Sequence, residues 1–437
     1  MTSSMSATQP GFFDVRMSGF RDRTEVTEVL RLLDARARML AAEAVAVPDA
    51  SGRVLAEDVR AEVAVPGFDR SAMDGYAVIA EETFGAAQYN PLTLRIVGDS
   101  RPGRPFSGIV ATGQAVRIMT GAPIPPGADA VLPVELTREE SGVLHISEPI
   151  SPGRHIGRRG EDVEPGRTVL TAGRVLRPQD LGLLASLGVA AMSVVSRPRI
   201  DILITGDELL PVGSKPDGCR IVDSNSVMLA ALVRRDGGEP RVAPLLPDCR
   251  EVIREALLAS TADVMLISGG SSVGIEDHAP GLVAELGELP IHGVALRPAS
   301  PTGIGFIGGR PVFLLPGNPV SCLCAYDLFA GRAIRSLGGR CPELPYLREQ
   351  LPLATKVASA VGRVDYVRVR IQDGHAEPIA VSGASLLSTT TAADGFVLVP
   401  RDSEGYPPGE IVTVFRYDGP ESSTSPPSPP HRGRGLG

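Results

Sequence analysis

The chain has 437 residues, 43% hydrophobic and 22% charged, with a net charge of −8 and a pI near 5.4. That length exceeds one ordinary core, so roughly two to four domains are expected. The acidic balance, with no run of lysine or arginine, argues against binding nucleic acid or an anionic membrane. No apolar run approaches the ~18 residues of a spanning helix, and no basic-then-apolar leader opens the chain. The five cysteines (Cys219, Cys249, Cys322, Cys324 and Cys341) are odd in number and lack zinc spacing. This pattern suits a reducing, cytoplasmic setting, with Cys322 and Cys324 as packing residues on different faces of a helix.

In chain order, residues 1–22 read as a loose polar arm. A helix is predicted from about Thr24, where Val26, Val29, Leu30, Leu33, Ala37 and Leu40 keep helical spacing; Pro48 would end it. From Val54 to about Val195, short β-like runs alternate with Gly/Pro turns, predicting an all-β or mixed-β region. Three clusters stand out there. Pro66–Val78 contains Asp74-Gly75, which reads as a turn. Arg117–Val131 is dense in Pro and Gly, a rigid interstrand loop in which Thr120 is either a hydroxyl donor or an ordinary turn residue. Arg158–Val163 places mixed charges around Gly160, as in a solvated turn.

Beyond Pro198 strands and helices alternate: a strand over Ile200–Ile204, the loop Thr205–Leu209, and a helix over Val227–Arg235 capped by Asn225. A strand over Val242–Leu246 follows, then Asp248 and Glu251 as a capping box for a helix over Arg250–Ala259. Asp263–Ser268 is a buried strand that runs into Gly269-Gly270-Ser271-Ser272-Val273-Gly274 and Glu276-Asp277. Free amides of such a loop can cradle an anion, with the acidic pair holding a divalent cation beside it. The pattern repeats: Val312–Leu315, then Pro316–Ser321, then a helix over Cys322–Ser336. Neither loop is a Walker A or Gly-x-Gly-x-x-Gly motif, and both also fit ordinary tight turns. The alternation predicts a doubly wound α/β domain whose strand ends present Asp207, Glu208 and Asp277 on one rim. Strands at Tyr366–Ile371, Phe396–Pro400 and Ile411–Phe415 predict a separate β domain, and residues 419–437 a disordered Ser/Pro-rich tail.

Six of these stretches are collinear with the signatures of one family: Ser71–Val78, Arg117–Val131, Arg159–Val163, Thr205–Leu209, Ser268–Asp277 and Leu315–Ser321. With Gly362–Tyr366 and Ser382–Ser385, they make residues 18–417 resemble the molybdopterin molybdenumtransferases (MoeA, and the E domain of gephyrin). The resemblance implies α/β plus β architecture in four parts. These are a discontinuous domain (18–63 with 150–196), a β insertion (64–149), a molybdopterin-binding α/β domain (197–343) and a β-barrel-like domain (344–418). It implies a homodimer whose cleft lies between the α/β and C-terminal domains, reached by the other subunit's β insertion.

The implied reaction inserts molybdenum from molybdate into adenylylated molybdopterin and releases AMP with Mg²⁺ present. A molybdopterin adenylyltransferase would act upstream. Carried over motif by motif, Asp277 and Glu208 would hold Mg²⁺ or position water, with Asp248 nearby. Asp74, Asp162 and Thr120 would complete the catalytic set. Gly269, Gly270, Ser271, Gly274, Pro316, Gly317, Asn318 and Ser321 would bind pterin and phosphate, with Arg297, Ser300, Arg363 and Ser385 alongside. One stretch departs. The family's Lys-Pro-Gly-Lys-Pro is here Arg297-Pro298-Ala299-Ser300-Pro301, which keeps one cation in altered geometry and loses the other. A non-catalytic molybdopterin-binding or scaffolding relative, a tungstate-using enzyme and an unrelated nucleotide-binding α/β protein are the alternative readings.

Overall fold

The structure, a computed structural model, describes residues 23–269, 277–380 and 386–417. Gly270, Ser271, Gly274, Glu276 and Ser385, with the N-terminal arm and the tail, lie outside the described residues. The chain divides into two compact units, one being Glu43–Val194 and the other the described residues on either side of it.

In Glu43–Val194 a six-stranded sheet runs Ala130–Pro133, Gly75–Val78, Gln114–Ile118, Leu92–Ser100, Val143–Ile146, Thr137–Glu140. Side chains alternate across it. Tyr76, Val78, Ala130 and Leu132 enter one core, while Ala77, Val116 and Val131 enter another. Gly75 therefore opens a strand and does not make the turn read for Asp74-Gly75. A Cβ there would lie 1.8 Å from the Leu132 carbonyl oxygen, so the close approach of two strands demands glycine.

The region is not all β. Pro178–Ser186 is a helix, with Pro at its first turn and Asp180 at its third position. Asp180 accepts from the Arg177 backbone N–H at 3.0 Å and from both Arg174 and Arg177 side chains. The Arg174 guanidinium, helped by Arg177, holds the Asp180 carboxyl well below its ordinary 3.8. A depressed carboxyl stabilises the fold above its unfolded pKa and loses that contribution as pH falls through the folded value. Asp180→Asn is thus expected to lower the urea midpoint at pH 7, with the gap from wild type closing as pH falls below 3.8.

The other unit holds a six-stranded sheet in the order Glu239–Val242, Arg199–Ile204, Val264–Ser268, Arg310–Leu315, Gly303–Ile307, Glu288–His292. The first four strands are parallel, and Gly303–Ile307 pairs antiparallel with both its neighbours. The sheet is therefore mixed, with helices on both faces. Arg310–Leu315 follows Gly303–Ile307 through the tight turn Gly308-Gly309, leaving no crossover helix between them.

Ile200, Ile202, Ile204, Leu266 and Phe313 pack on one face, under helices Asn225–Arg235, Pro319–Ala325 and Gly331–Leu337. Leu203, Met265, Ile267, Val312 and Leu314 pack on the other, under Arg250–Ala259 and Ala279–Leu286. Each fully buried Leu or Ile contributes about 1.5–3 kcal/mol. The predicted strand over Val242–Leu246 is instead Glu239–Val242; Pro244 and Pro247 lack the N–H that a ladder needs.

Helix Val26–Arg36 packs Val26, Val29 and Leu33 into this α/β core. It ends at Arg36, not at Pro48, because Ala37 is extended and the Leu40 N–H goes to the Leu337 carbonyl. Ala42–Ala46 is a strand paired with Ala191–Val195. The predicted helix over Cys322–Ser336 starts at Pro319 and carries a π turn, Tyr326–Ala330. It is buried on every side, so Cys322 and Cys324 share one core. Burial pushes the Cys322 thiol up to about 12. In the C-terminal sheet, Leu296–Arg297, Val364–Gln372, Gly395–Val399, Ile411–Arg416 and Leu347–Pro352 lie in that order.

Candidate functional site

The parallel strands place the site. From Arg199–Ile204 the chain crosses to the edge strand Glu239–Val242, then back past its start to Val264–Ser268. Connections leaving in opposite directions open a crevice at the C-terminal strand ends, where open α/β sheets bind ligands. Thr205–Glu208 leaves one side of that crevice and Gly269 the other. Gly269 has φ +99°, and a Cβ on it would stand 2.1 Å from the Thr205 carbonyl oxygen. Only glycine lets these strand ends close so tightly. Pro316–Asn318 leaves the next strand, and a Cβ on Gly317 would be 3.7 Å from the Gly269 Cα. Asn318 and Ser321 stand at the start of the following helix. Gly269 and Gly317 are therefore neighbours at the rim.

Asn225 is not the cap read from sequence. It is the first residue of helix Asn225–Arg235, and Asp223 takes the Ser226 N–H at 3.0 Å. Its amide instead donates to Ser268 Oγ at 2.9 Å and to the Gly317 carbonyl at 2.7 Å.

Glu208 is exposed and folds over Gly206, where a Cβ would meet Glu208 Oε2 at 2.6 Å. Asp248 does not cap a helix; Cys249 holds the cap position. Asp248 and Asp207 instead exchange bonds, each backbone N–H donating to the other's carboxylate at 3.2 and 3.3 Å. This brings Asp248 onto the Thr205–Leu209 loop. Asp277 is partly exposed just ahead of helix Ala279–Leu286. No group of three or more His, Cys, Asp or Glu suited to a metal exists among the described residues.

Arg297 and Arg363 converge on one carboxylate. Asp365, 1% exposed, pairs with Arg297, stands 3.2 Å from Arg363 Nε and accepts from Ser359 Oγ at 2.7 Å. Strand Leu296–Arg297 lies parallel to Val364 and Asp365 in the C-terminal sheet. The Arg297 Nε and Ser300 Oγ atoms are buried without a hydrogen-bond partner among the described residues. Two guanidiniums against one carboxylate leave a net positive charge, which suits an oxyanion. The register Gly303↔Leu314 sets residues just before Gly303 at the same rim as Pro316. The chain has only two lysines, Lys215 and Lys356, so arginine at position 297 follows its general usage.

Asp74, Thr120 and Asp162 lie in the Glu43–Val194 unit. Asp74 Oδ1 accepts from the Thr120 N–H at 2.7 Å and its hydroxyl at 2.9 Å, which lowers the carboxyl pKa. Asp162 is exposed, and its carbonyl accepts from Arg167. A cleft of about 370 Å³, lined by Val26, Leu30, Asp327, Leu398 and Phe415 among others, includes none of the expected ligand-binding side chains. Sequence reasoning missed Asn225 and Asp365. Arg363 and Asp365, two apart on an extended segment, carried a signal for the second; nothing local marked the first.

Three family profiles match the chain: the MoeA N-terminal region (domains I and II) over 24–188, a probable molybdopterin binding domain over 201–336, and the MoeA C-terminal region (domain IV) over 350–417. Molybdopterin molybdenumtransferase 2 of Mycobacterium tuberculosis is 37% identical over 382 residues, covering 83% of this chain and 93% of that protein. The molybdopterin molybdenumtransferase of Haemophilus influenzae is 34% identical over 407 residues, covering 89% and 99%. The solved molybdopterin biosynthesis MoeA protein of Pyrococcus horikoshii OT3 superposes with a TM-score of 0.75 at 33% identity, over 91% of this chain and all of that one.

Proposed function

The chain belongs to the MoeA family, and from that premise we propose that it is a molybdopterin molybdenumtransferase, inserting molybdenum from molybdate into adenylylated molybdopterin with release of AMP. The observation that carries this reading is the close approach of Gly269 and the Pro316–Ser321 loop at the ends of adjacent parallel strands, beside carboxylates on Thr205–Glu208. A phosphoanhydride suits such a rim, because backbone amides and a cation offset its charge without rearranging during reaction. Glu208 and Asp277 carry the hard oxygen donors that Mg²⁺ prefers. With no larger ligand cluster among the described residues, the ion would complete its shell with phosphate oxygens and water. Bound there, Mg²⁺ supplies charge neutralisation on the phosphates.

The chain's own groups divide the remaining work. Asp248 braces the Asp207–Glu208 turn from below. Arg297 and Arg363, gathered by Asp365, with Ser300, hold the oxyanion. Asp74, Thr120 and Asp162 enter the same proposal through family membership, as do a homodimer, the four-part domain division, an upstream adenylyltransferase and a cytoplasmic setting. Among the described residues no helix is long and apolar enough to cross a membrane.

The test incubates purified protein with adenylylated molybdopterin, Mg²⁺ and molybdate, and follows AMP release and metal bound at the dithiolene. Wild type should release AMP in step with metal insertion. Glu208→Ala and Asp277→Ala should each slow this by roughly 100-fold or more, the scale of losing one electrostatic contact to the reacting centre. Wild-type rates in both variants would remove these carboxylates from the mechanism; no AMP from wild type would remove the function.

A further inference from the structure

Asn225 sits where three elements meet, and its side chain bonds to two of them. It is 7% exposed. A side-chain amide has two N–H donors and a carbonyl acceptor. Both donors have acceptors: Ser268 Oγ at the end of strand Val264–Ser268, and the Gly317 carbonyl in the loop after Arg310–Leu315. The amide's orientation follows from chemistry, since a backbone carbonyl only accepts and must face Nδ2. Ser268 Oγ passes its own proton to the Pro316 carbonyl at 3.3 Å. One amide and one hydroxyl thus tie the end of one rim strand to two successive carbonyls of the neighbouring loop. Asn225 Oδ1 is buried and has no partner among the described residues, and the same holds for Thr205 Oγ1 beside Gly269. A buried, unpaired polar atom costs stability. A position selected only for packing would avoid that cost with an apolar side chain, whereas a position selected to hold the loop at a set distance from the strand end keeps the amide.

We propose that Asn225 is a positioning residue for ligand binding, fixing the Pro316–Ser321 loop against the strand end at Ser268-Gly269 so that both meet the phosphate-bearing ligand together. This rests on the functional reading above, in which that rim binds adenylylated molybdopterin. Asn225 itself needs no contact with the ligand. With its donors removed, the Gly317 carbonyl is no longer held toward the strand end and the Pro316–Ser321 loop drifts away from it. Binding weakens, while Glu208 on the Thr205–Leu209 loop and Asp277, set just ahead of helix Ala279–Leu286, keep their chemistry.

The test compares wild type with Asn225→Asp, which keeps shape but sets a carboxylate against the Gly317 carbonyl, and with Ser268→Ala, which cuts the second half of the tie. Affinity for adenylylated molybdopterin is measured by equilibrium binding, and KM and kcat by AMP release. Asn225→Asp should raise both the dissociation constant and KM by about 10–100-fold, the usual scale for an outer-shell positioning group. Its kcat should stay within about threefold of wild type, the signature of lost binding common to ground and transition states. Ser268→Ala should shift the same two quantities in the same direction by a smaller factor. Should Asn225→Asp fail to fold, Ser268→Ala decides on the same readouts. Unchanged affinity in a folded Asn225→Asp, or in Ser268→Ala when that variant decides, would overturn the inference while leaving the function standing. A kcat loss with unchanged KM would also overturn it, since Asn225 would then act in the chemistry. Wild type that neither binds nor turns over the ligand would instead overturn the functional reading and this inference with it.

Discussion

Replacing Asp365 with alanine is expected to lower kcat/KM by about 100-fold or more and to destabilise its unit by about 3 kcal/mol. The stability figure is the lower end of what it costs to strand the partners of a buried ion pair, because Arg297 and Arg363 each keep 31% of their side-chain surface exposed. The activity figure follows from geometry. Asp365 is the shared counter-charge that lets two guanidiniums stand together. Without it like charges repel, and the pair loses its aim at an incoming oxyanion. Asp365→Asn keeps an acceptor for Arg297 and Ser359 but not the charge, and should fall between. Urea titration and steady-state AMP release at pH 7 check both numbers. Alanine at 365 with undiminished activity would mean that the two arginines do not hold the oxyanion.

Asp327→Ala should produce the larger loss of stability, about 3–5 kcal/mol, since it strands a wider network of buried ion-pair and hydrogen-bond partners. Asp327 is completely buried on the π turn Tyr326–Ala330. It accepts from Arg235 at 3.0 Å, from Tyr346 at 2.9 Å and from Tyr366 at 3.3 Å. Asp236 and Arg335 lie in the same network, paired at 3.0 Å, so two carboxylates balance two arginines. Removing one carboxylate leaves a buried net charge. It also cuts the link from helix Asn225–Arg235 to Tyr366 in the C-terminal sheet.

The pH dependence separates Asp327 from Asp180. Burial pushes Asp327 above its ordinary 3.8, against the pull of Arg235 and the Tyr346 hydroxyl. A raised carboxyl contributes stability that is fully present below the unfolded pKa and lost as pH rises through the folded value. The advantage of wild type over Asp327→Asn should therefore be no smaller at pH 4 than at pH 7, whereas the advantage over Asp180→Asn should shrink on going from pH 4 to pH 2. Denaturant midpoints across that range measure both. An Asp327→Asn gap that shrinks on acidification would contradict the burial argument.

What the chain order of residues determined by itself is local. The apolar run Asp263–Ser268 could only be an interior strand, and it is one, Val264–Ser268, buried along its length. Arg250–Ala259 carries helical spacing and forms a helix with those bounds. Three strands of the C-terminal sheet, Val364–Gln372, Gly395–Val399 and Ile411–Arg416, were visible in their β-branched and aromatic runs, whereas Leu296–Arg297 and Leu347–Pro352 were not. The tight backbone at Gly269 was visible too, because glycine announces a conformation that few other residues tolerate. Tertiary structure decided the rest, wherever the deciding partner is distant in sequence. Asn225 read as a helix cap until Ser268 and Gly317, 43 and 92 residues away, claimed its amide. Asp248 read as a cap until Asp207, 41 residues back, took its backbone N–H. Helix Val26–Arg36 stopped early because Leu337 captured the Leu40 N–H. Polar side chains have more than one adequate hydrogen-bonding arrangement, and only the folded neighbourhood selects among them. Buried apolar periodicity has one good solution, which is why it was legible from the start.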